Sequence, residues 1–313
     1  MVERVQTWIA NPVFGDLVYE HRYTEYKDYN GVKFPTILHS HQGDPRINPG
    51  HNSQEIHVTS LQVNPAGVAL AVPDNVRQAP DPATVPVRVQ SEKLAEGVWR
   101  IAGESHHSVA FEFRDFVTVV EAPQDERRSL AVIAEVHRLI PNKPIQYVVN
   151  THYHFDHSGG LRPYVAQGAT VVTHSANRGF YENVFFYPSP RNLEPDLLST
   201  RYPWFRGNRL PAFELVNQKY VISDGVRNLD VYAMQGVEHE GNMLMVYLPA
   251  EKILINADLY SPPAPNARQL PAASAGTRQL SQNIQRLKLD VQRHAGIHGN
   301  VGTHQQFMSI VGR

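Results

Sequence analysis

The stretch Thr151-His-Tyr-His-Phe-Asp-His-Ser-Gly-Gly160 places three histidines and an aspartate within six residues. It follows directly on an apolar run of strand length. In extended backbone, alternate side chains share a face, so His152 and His154 can point to one place. A break in the strand would turn Asp156 and His157 toward a neighbouring place. The stretch therefore predicts a loop at the end of a buried strand that offers two pairs of metal ligands.

Two glycines complete the stretch. Gly159 and Gly160 would let the backbone fold closely behind the site, where a Cβ atom would obstruct it. A histidine-rich surface loop without metal is the alternative interpretation. The tight spacing and the buried strand before the loop favour the metal site. Four ligands are too few for two ions, so this hypothesis requires further ligands at other strand ends.

Three residues meet that requirement. His239 lies in Gln-Gly-Val-Glu-His-Glu-Gly-Asn, just before an apolar strand, and Asp258 ends the strand-like run Ile-Leu-Ile-Asn-Ala-Asp. His298 lies in His-Ala-Gly-Ile-His-Gly-Asn, again after a short apolar run. A lone histidine in such a place is more often a satisfied polar residue than a ligand. All three residues adjoin predicted strands, as the first motif does. Their occurrence together with that motif favours a role as metal ligands.

Composition limits the function classes. The chain has 313 residues, of which 42% are hydrophobic, enough for a substantial core. With no cysteine, any metal must be held by nitrogen and oxygen ligands. A net charge of -1 argues against nucleic acid or an anionic membrane as partner. No apolar run has the length of a membrane span or a signal peptide. We expect a periplasmic or secreted location if a signal peptide has been removed, and otherwise the cytoplasm.

The chain divides by pattern into two parts. Residues 1–92 contain short strand-like runs between Asn-Gly and Asn-Pro-Gly turns, which predicts a small antiparallel β unit. The proline-rich stretch 73–86 is a plausible linker. Residues 93–313 mix strands with amphipathic helices, which indicates a layered α/β domain. The N-terminal unit has no assigned role, and it is a candidate surface for homo-oligomer contacts.

The spacing of His152, His154, Asp156 and His157 is the H-x-H-x-D-H motif, and over residues 93–313 the chain resembles the metallo-β-lactamase superfamily. The resemblance implies an α/β fold, an αββα sandwich with two metals at the edge between its sheets, here joined to a small N-terminal β-rich domain. It also implies one ligand set for each metal and a bridging carboxylate. The first set is His152, His154 and His239, the second is Asp156, His157 and His298, and the bridge is Asp258. Two Zn²⁺ ions are expected, with iron or manganese as alternatives.

The implied reaction is hydrolysis of a small-molecule ester, lactone, thioester or β-lactam by a metal-bridging hydroxide. Asp156 would carry a proton onward. Tyr260 would donate to the oxyanion or leaving group, or else would pack beneath the site. The alternatives are a mononuclear iron dioxygenase of the same fold that acts on persulfide-type thiols, and a phosphodiesterase.

Several further residues have two readings. By the resemblance, Glu121 stands where an aspartate is common and supports the metal loop without binding metal. His174 is expected to be structural. His106 and His107 are expected on an exposed turn, with substrate contact as the alternative. The aromatic segment 180–213 is either a lid or part of the core.

Overall fold

The computed structural model describes residues 1–43, 51–67, 71–186, 191–202, 211–264, 267 and 269–312. These divide into two compact units: Met1–Pro86 with Ser189–Pro195, and Val87–Pro188 with Asp196–Arg313. Within the described residues, no helix combines the length and the hydropathy that a membrane span requires.

The first unit is built on one antiparallel sheet whose strands follow one another in chain order. The strands are β1 (Arg4–Asn11), β2 (Gly15–Tyr29), β3 (Val32–Gln42) and β4 (His51–His57). Asn30 and Gly31 join β2 to β3, and their positive φ angles of 53° and 86° suit a tight hairpin turn. A short helix, α1 (Asp74–Arg77), comes later in this unit. The predicted N-terminal β unit is thus confirmed.

The second unit begins with a seven-stranded sheet of order β11-β10-β9-β8-β7-β6-β5. Its strands are β5 (Gln90–Ala95), β6 (Val98–Ala102), β7 (His107–Glu112), β8 (Val117–Val120), β9 (Ile145–Val149), β10 (Thr170–His174) and β11 (Phe213–Val216). The first four pair antiparallel, whereas β8 to β11 run parallel. β5 spans the predicted boundary between residues 92 and 93 and pairs inside this unit.

A six-stranded sheet of order β12 to β17 forms the other half of the second unit. Its strands are β12 (Lys219–Ser223), β13 (Asn228–Ala233), β14 (Leu244–Leu248), β15 (Ile253–Asn256), β16 (Arg293–Gly296) and β17 (Val301–Thr303). All neighbours are antiparallel except β15 and β16, which are parallel. One apolar cluster contains residues of both sheets, such as Phe111, Val149, Val246 and Leu254, so the sheets pack face to face.

Helices cover the two sheets. They are α2 (Glu126–Leu139), α3 (Phe155–Ser158), α4 (Leu161–Ala166), α5 (Arg178–Phe186), α6 (Leu197–Arg201), α7 (Ala275–Leu287) and α8 (His304–Val311). Asp125 caps α2 by accepting a hydrogen bond from the Arg128 amide. The apolar sides of α7 and α8 supply Leu280 and Phe307 to the common core. This is the predicted αββα sandwich. The loops that follow β9, β13, β15 and β16 carry the candidate ligands.

Candidate metal centre

The motif loop changes direction where β9 ends. His152 follows the strand, and His154 stands at the N-terminus of the single-turn helix α3. Asp156 and His157 lie within that turn. The His152 Nε2 and His154 Nδ1 atoms are only 3.1 Å apart, and the ring centroids of His152 and His157 are 4.3 Å apart. The four side chains of the motif therefore lie close together in one loop.

The first candidate ligand group joins the motif loop to the second sheet. His152, His154, His239 and Asp258 bring their ligand atoms within 4.8 Å of one another. Asp258 Oδ2 lies 3.2 Å from His152 Nε2 and 2.8 Å from His239 Nε2. His239 comes from the loop between β13 and β14, and Asp258 from the end of β15. The first predicted set therefore converges on one oxygen of Asp258.

The second group faces the other oxygen of the same carboxylate. Asp258 Oδ1 lies 2.7 Å from His298 Nε2 and 3.1 Å from His157 Nε2. These two imidazole nitrogens are 3.3 Å apart. Asp156 Oδ2 is 3.7 Å from His157 Nε2, so the motif aspartate adjoins this group. Asp258 thus stands between the groups with one oxygen toward each.

These residues fit metal ions. Two ligands that share a zinc ion at about 2.1 Å lie roughly 3 to 4 Å from each other. The distances between candidate ligand atoms here run from 2.7 to 3.7 Å, close to that range. Among the described residues, Asp258 Oδ1 has no hydrogen bond of good geometry, although it is buried and two imidazole nitrogens are close. An all-imidazole and carboxylate donor set suits zinc, iron or manganese. The backbone of Asp258 is held in the left-handed region, with φ of 61°, as is common at functional sites.

Glu121 is fully buried behind the motif loop. One carboxylate oxygen accepts from the Asn150 side chain at 3.0 Å and from the Thr151 amide at 3.3 Å. The other lies 2.5 Å from the Thr151 hydroxyl and 3.1 Å from His157 Nδ1. All its acceptor positions are therefore directed at the protein. Glu121 supports the loop, as expected, although it belongs to a third cluster with His152 and His157.

Hydrogen bonds to the outer ring nitrogens fix how the imidazoles face the site. The Thr151 hydroxyl donates to Glu121 and can therefore accept from His152 Nδ1, which is 3.0 Å away. His298 Nδ1 donates to the Ser105 carbonyl oxygen at 3.0 Å. With His157 Nδ1 on Glu121, these three rings keep their Nε2 lone pairs for an ion.

The carboxylates strongly perturb the ionisation of this cluster. Burial would raise the pKa of Asp258, but the imidazoles of His152, His157 and His298 lower it well below its usual range. Burial would lower the pKa of His157, but Asp258 and Glu121 raise it to about 10. Burial lowers the pKa of His154. The site therefore favours ionised carboxylates that positive charge must balance.

His106 and His107 are not exposed, and that expectation was wrong: only 8% and 5% of their surfaces are accessible. The loop before β7 folds inward against the loop after β16. His107 Nε2 donates to the Gly299 carbonyl oxygen at 2.9 Å, and burial lowers its pKa to about 4. His106 forms a cluster with His157 and His298 at the second group. Sequence reasoning missed this because a His-His pair in a turn gives no burial signal.

Tyr260 packs within the core. Its ring lies 4.9 Å from that of Phe307 and 5.3 Å from that of His294, measured between centroids. Its hydroxyl has no partner among the described residues, and burial raises its pKa to about 12. The surroundings of Tyr260 therefore agree with the alternative that it packs beneath the site. His174 caps a short turn by accepting from the Ala176 amide, a structural role as expected.

The aromatic segment is only partly described. Tyr181 and Phe185 are buried, and the Tyr181 hydroxyl donates to Asn150 Oδ1, which connects α5 to the Glu121 network. For these two residues the core interpretation holds. Residues 187, 204 and 205, the Phe186 side chain, and the arginines at 206 and 209 lie outside the described residues. Arg201 is exposed.

The two glycines of the motif sit where predicted. A Cβ on Gly159 would come within 1.9 Å of the Gln124 carbonyl oxygen, and one on Gly160 within 2.1 Å of Ser129 Oγ. The Gly160 amide instead donates to the Ala122 carbonyl oxygen at 3.0 Å. Close packing against the loop between β8 and α2 therefore requires glycine at both positions.

Comparison with known proteins gives the fold an independent basis. The chain is similar to a metallo-beta-lactamase from Pontibacter korlensis, with 18% identity, a TM-score of 0.52, and coverage of 72% of this chain and 98% of that one. It is also similar to one from Hirschia baltica, with 16% identity, a TM-score of 0.51, and coverage of 72% and 96%. A third is FIM-1 from Pseudomonas aeruginosa, in its mono-zinc form, with 18% identity, a TM-score of 0.50, and coverage of 72% and 94%.

A comparison with curated proteins gave no match. The sequence profile of the metallo-beta-lactamase superfamily matches residues 105–264, which include the motif loop, His239 and Asp258. The matched range is about half of the chain, and it contains every candidate ligand except His298. The chain therefore belongs to the metallo-beta-lactamase superfamily.

Proposed function

We propose that this protein is a dinuclear metal-dependent hydrolase that acts on an ester, lactone, thioester or β-lactam bond of a small molecule. The observation that carries the proposal is the position of Asp258. One carboxylate oxygen lies near His152 and His239, and the other near His157 and His298. A carboxylate that served a single ion would not need histidines at both oxygens.

In this proposal His152, His154 and His239 hold one ion, Asp156, His157 and His298 hold the other, and Asp258 bridges them. Zinc is the first candidate, with iron or manganese as alternatives. Bound ions supply Lewis acidity toward a carbonyl or phosphoryl oxygen and lower the pKa of water. Glu121, Thr151 and Ser105 hold the imidazoles in the orientation that ligation requires.

Asp156 is the residue proposed to hold and pass on a proton. Its side chain is 38% exposed, whereas that of Asp258 is 13% exposed. A half-exposed carboxylate beside the ligands can exchange protons with solvent while it faces the reacting centre. Tyr260 is less suited to proton donation, since its ring is 4% exposed and packed against Phe307.

Aromatic side chains near the motif loop favour a substrate with an apolar group. Phe155, within the motif itself, is 68% exposed. The ring of Tyr153 lies 4.8 Å from that of Phe180, on α5. Exposed aromatic surface beside polar ligands is typical of small-molecule sites. It would suit an acyl chain better than a bare phosphate ester, which favours acyl transfer over phosphodiester hydrolysis.

The first test is metal content per chain by elemental analysis, on the wild type and on His157→Ala and His239→Ala. His137→Ala is the matched control, because His137 is exposed on α2. Two ions in the wild type and the control, and fewer in each site variant, would support the proposal. They would justify a screen of lactones, thioesters and β-lactams.

One iron per chain that is indifferent to His157→Ala would contradict the dinuclear hydrolase. Oxygen consumption with persulfide-type thiols would then be the next assay, since that result matches the dioxygenase alternative. The second group speaks against this alternative, because a mononuclear site has no use for His157 and His298 close to the same carboxylate.

A further inference from the structure

His106 is the one histidine at the centre that the superfamily motif does not assign. Its ligand atom lies within 4.8 Å of those of His157 and His298. The ring centroids are 4.2 Å from His298 and 5.0 Å from His157. His106 Nε2 also lies 3.3 Å from Asp156 Oδ2. Its position is thus defined by the three proposed ligands of the second ion.

The loop that carries His106 is firmly held. Arg128, which is 2% exposed, donates to the His106 carbonyl oxygen at 3.0 Å. A Cβ at Gly103 would come within 2.0 Å of the same guanidinium group. The Ser105 carbonyl oxygen accepts from His298 Nδ1, and the Ser105 hydroxyl lies 2.8 Å from His106 Nδ1. One residue therefore orients both imidazoles, and the ring of His106 is not free to swing away.

The 3.3 Å distance from Nε2 to Asp156 Oδ2 is compatible with two roles for Nε2, a hydrogen bond and ligation of a shared ion. A charge-assisted hydrogen bond from imidazole to carboxylate has a length of about 2.7–2.9 Å. The 3.3 Å separation is longer than that. It is an ordinary spacing for two ligands of one ion at about 2.1 Å each. When Nδ1–H donates to the Ser105 hydroxyl, 2.8 Å away, the Nε2 lone pair is available to an ion.

We propose that His106 is an additional nitrogen ligand of the second metal position, which it shares with Asp156, His157 and His298. This inference rests on the proposed dinuclear function and refines it. Each ion would then have three imidazoles, with Asp258 between them. A position with three imidazoles should prefer zinc, cobalt or iron over manganese more strongly than one with two. The two ions should also be more alike in affinity than their motifs suggest.

The test is the affinity of each zinc equivalent, measured by competition with a chromogenic chelator. The variants are His106→Ala, His106→Gln and the control His137→Ala. The glutamine amide can still donate a hydrogen bond to Asp156 but is a poor zinc ligand. We expect both His106 variants to weaken the second equivalent by about 100-fold or more, since even outer-shell partners contribute about 10- to 100-fold. The first equivalent should be unchanged, which also shows that the variants fold.

The visible spectrum of the Co²⁺-substituted protein is the second readout. Loss of one nitrogen ligand should change the band of the second cobalt equivalent in both His106 variants and not in the control. Wild-type affinity in His106→Gln would overturn the inference in favour of a hydrogen bond to Asp156. Wild-type affinity in His106→Ala would overturn any role at the metal. A wild type that binds a single ion would overturn the dinuclear function itself and this inference with it.

Discussion

Two carboxylates at this centre adopt backbone conformations that non-glycine residues rarely use. Asp258 has a φ of 61° and Glu121 a φ of 74°. Each such residue costs about 1–3 kcal/mol unless its surroundings hold it in place. Asp258 lies among four imidazoles, and Glu121 accepts from Asn150 and Thr151 and contacts His157. The strained backbone conformations therefore belong to Asp258 and Glu121, the two acidic residues that contact the ligand histidines.

Glu121→Gln tests this organisation. Every hydrogen-bond partner of the Glu121 carboxylate is a donor. The amide nitrogen of a glutamine side chain would therefore face a donor in a fully buried site. We expect unfolding free energy to fall by about 1–3 kcal/mol and affinity for the second ion to fall by about 10- to 100-fold. Urea denaturation and chelator competition measure the two effects.

Glu182→Gln is the matched control. Glu182 pairs with Arg178 on the surface of α5, with side chains 40% and 65% exposed, and such pairs contribute little. Equal stability and metal affinity in Glu121→Gln and Glu182→Gln would show that Glu121 is not a support of the loop.

His294 should make stability depend on pH. It is fully buried, its Nε2 lies 3.0 Å from His304 Nδ1, and burial lowers its pKa from 6.5 to about 3. In the folded protein His294 stays neutral, whereas in the unfolded chain it takes up a proton below pH 6.5. Protonation therefore favours the unfolded chain, and the free energy of unfolding falls as pH falls from 6.5 toward 3. Between pH 7 and 5 this amounts to about 2 kcal/mol.

We expect His294→Phe to remove that share of the pH dependence. The phenyl ring can occupy the space beside Phe307, whose ring centroid is 4.5 Å from that of His294. Urea unfolding at pH 7 and pH 5, with metal removed from both proteins by a chelator, isolates the effect. The same loss of stability on acidification in both proteins would exclude His294 as its source.

The residues that the sequence could identify were those whose chemistry is local. His152 to His157 lie in one loop, and their spacing alone predicts two pairs of ligands. His239, Asp258 and His298 needed their positions beside strands as a second clue. His106 gave neither clue, because it is buried against His298, in the loop after β16, and against Arg128, both distant in sequence. Its place at the centre follows from tertiary packing alone.

Among the elements, the single-turn helix α3 is followed by a tightly packed segment. Gly159 and Gly160 come directly after the helix and lie against the loop between β8 and α2. That contact fixes the motif loop relative to Glu121, at the start of the same neighbouring loop. Strands β8 and β9 were predictable from their apolar runs, and the cap of α2 follows from Asp125. How closely the two loops approach could be expected only from the glycines.

Gly160→Ala should therefore be strongly destabilising. The added methyl group would meet Ser129 Oγ at 2.1 Å and the Ala122 carbonyl oxygen at 2.9 Å, so the motif loop would have to move away from Glu121 and the start of α2. Overpacking of this kind costs about 1–3 kcal/mol. Gly179→Ala, in α5, is the matched control because a Cβ there has no atom of the described residues within 4 Å.

Thermal unfolding compares the stability of the two glycine variants with that of the wild type. We expect the melting temperature to fall for Gly160→Ala, and to stay level or rise slightly for Gly179→Ala, because alanine stabilises a helix by roughly 0.5–1 kcal/mol over glycine. A Gly160→Ala protein as stable as Gly179→Ala would show that the loops have room to separate.

At the scale of the whole molecule, successive segments of the chain are assigned alternately to the first and the second unit. Ser189–Pro195 is part of the first unit, although α5 and α6 on either side of it belong to the second. From the sequence, this stretch belongs to the aromatic segment 180–213, for which a lid and core packing were the two alternatives. This segment is assigned to the first unit because of its contacts there. The Arg191 guanidinium donates to the carbonyl oxygens of Pro12 and Val13 at 3.0 and 2.9 Å.

Asp16 completes this anchor and provides its test. Its carboxylate is 7% exposed and accepts from the backbone amides of Asn192 at 2.7 Å and Leu193 at 3.4 Å. Asp16→Ala leaves those amides without an acceptor, so we expect them to exchange hydrogen with solvent about ten times faster, which corresponds to about 1.4 kcal/mol. Asp28→Ala is the control, because Asp28 makes the same kind of bond to the Gly31 amide in the β2–β3 turn. Hydrogen exchange followed by mass spectrometry should show faster exchange at residues 192–193 in Asp16→Ala alone. Unchanged exchange there would mean that Arg191 holds the segment without Asp16, and Arg191→Ala should then release it.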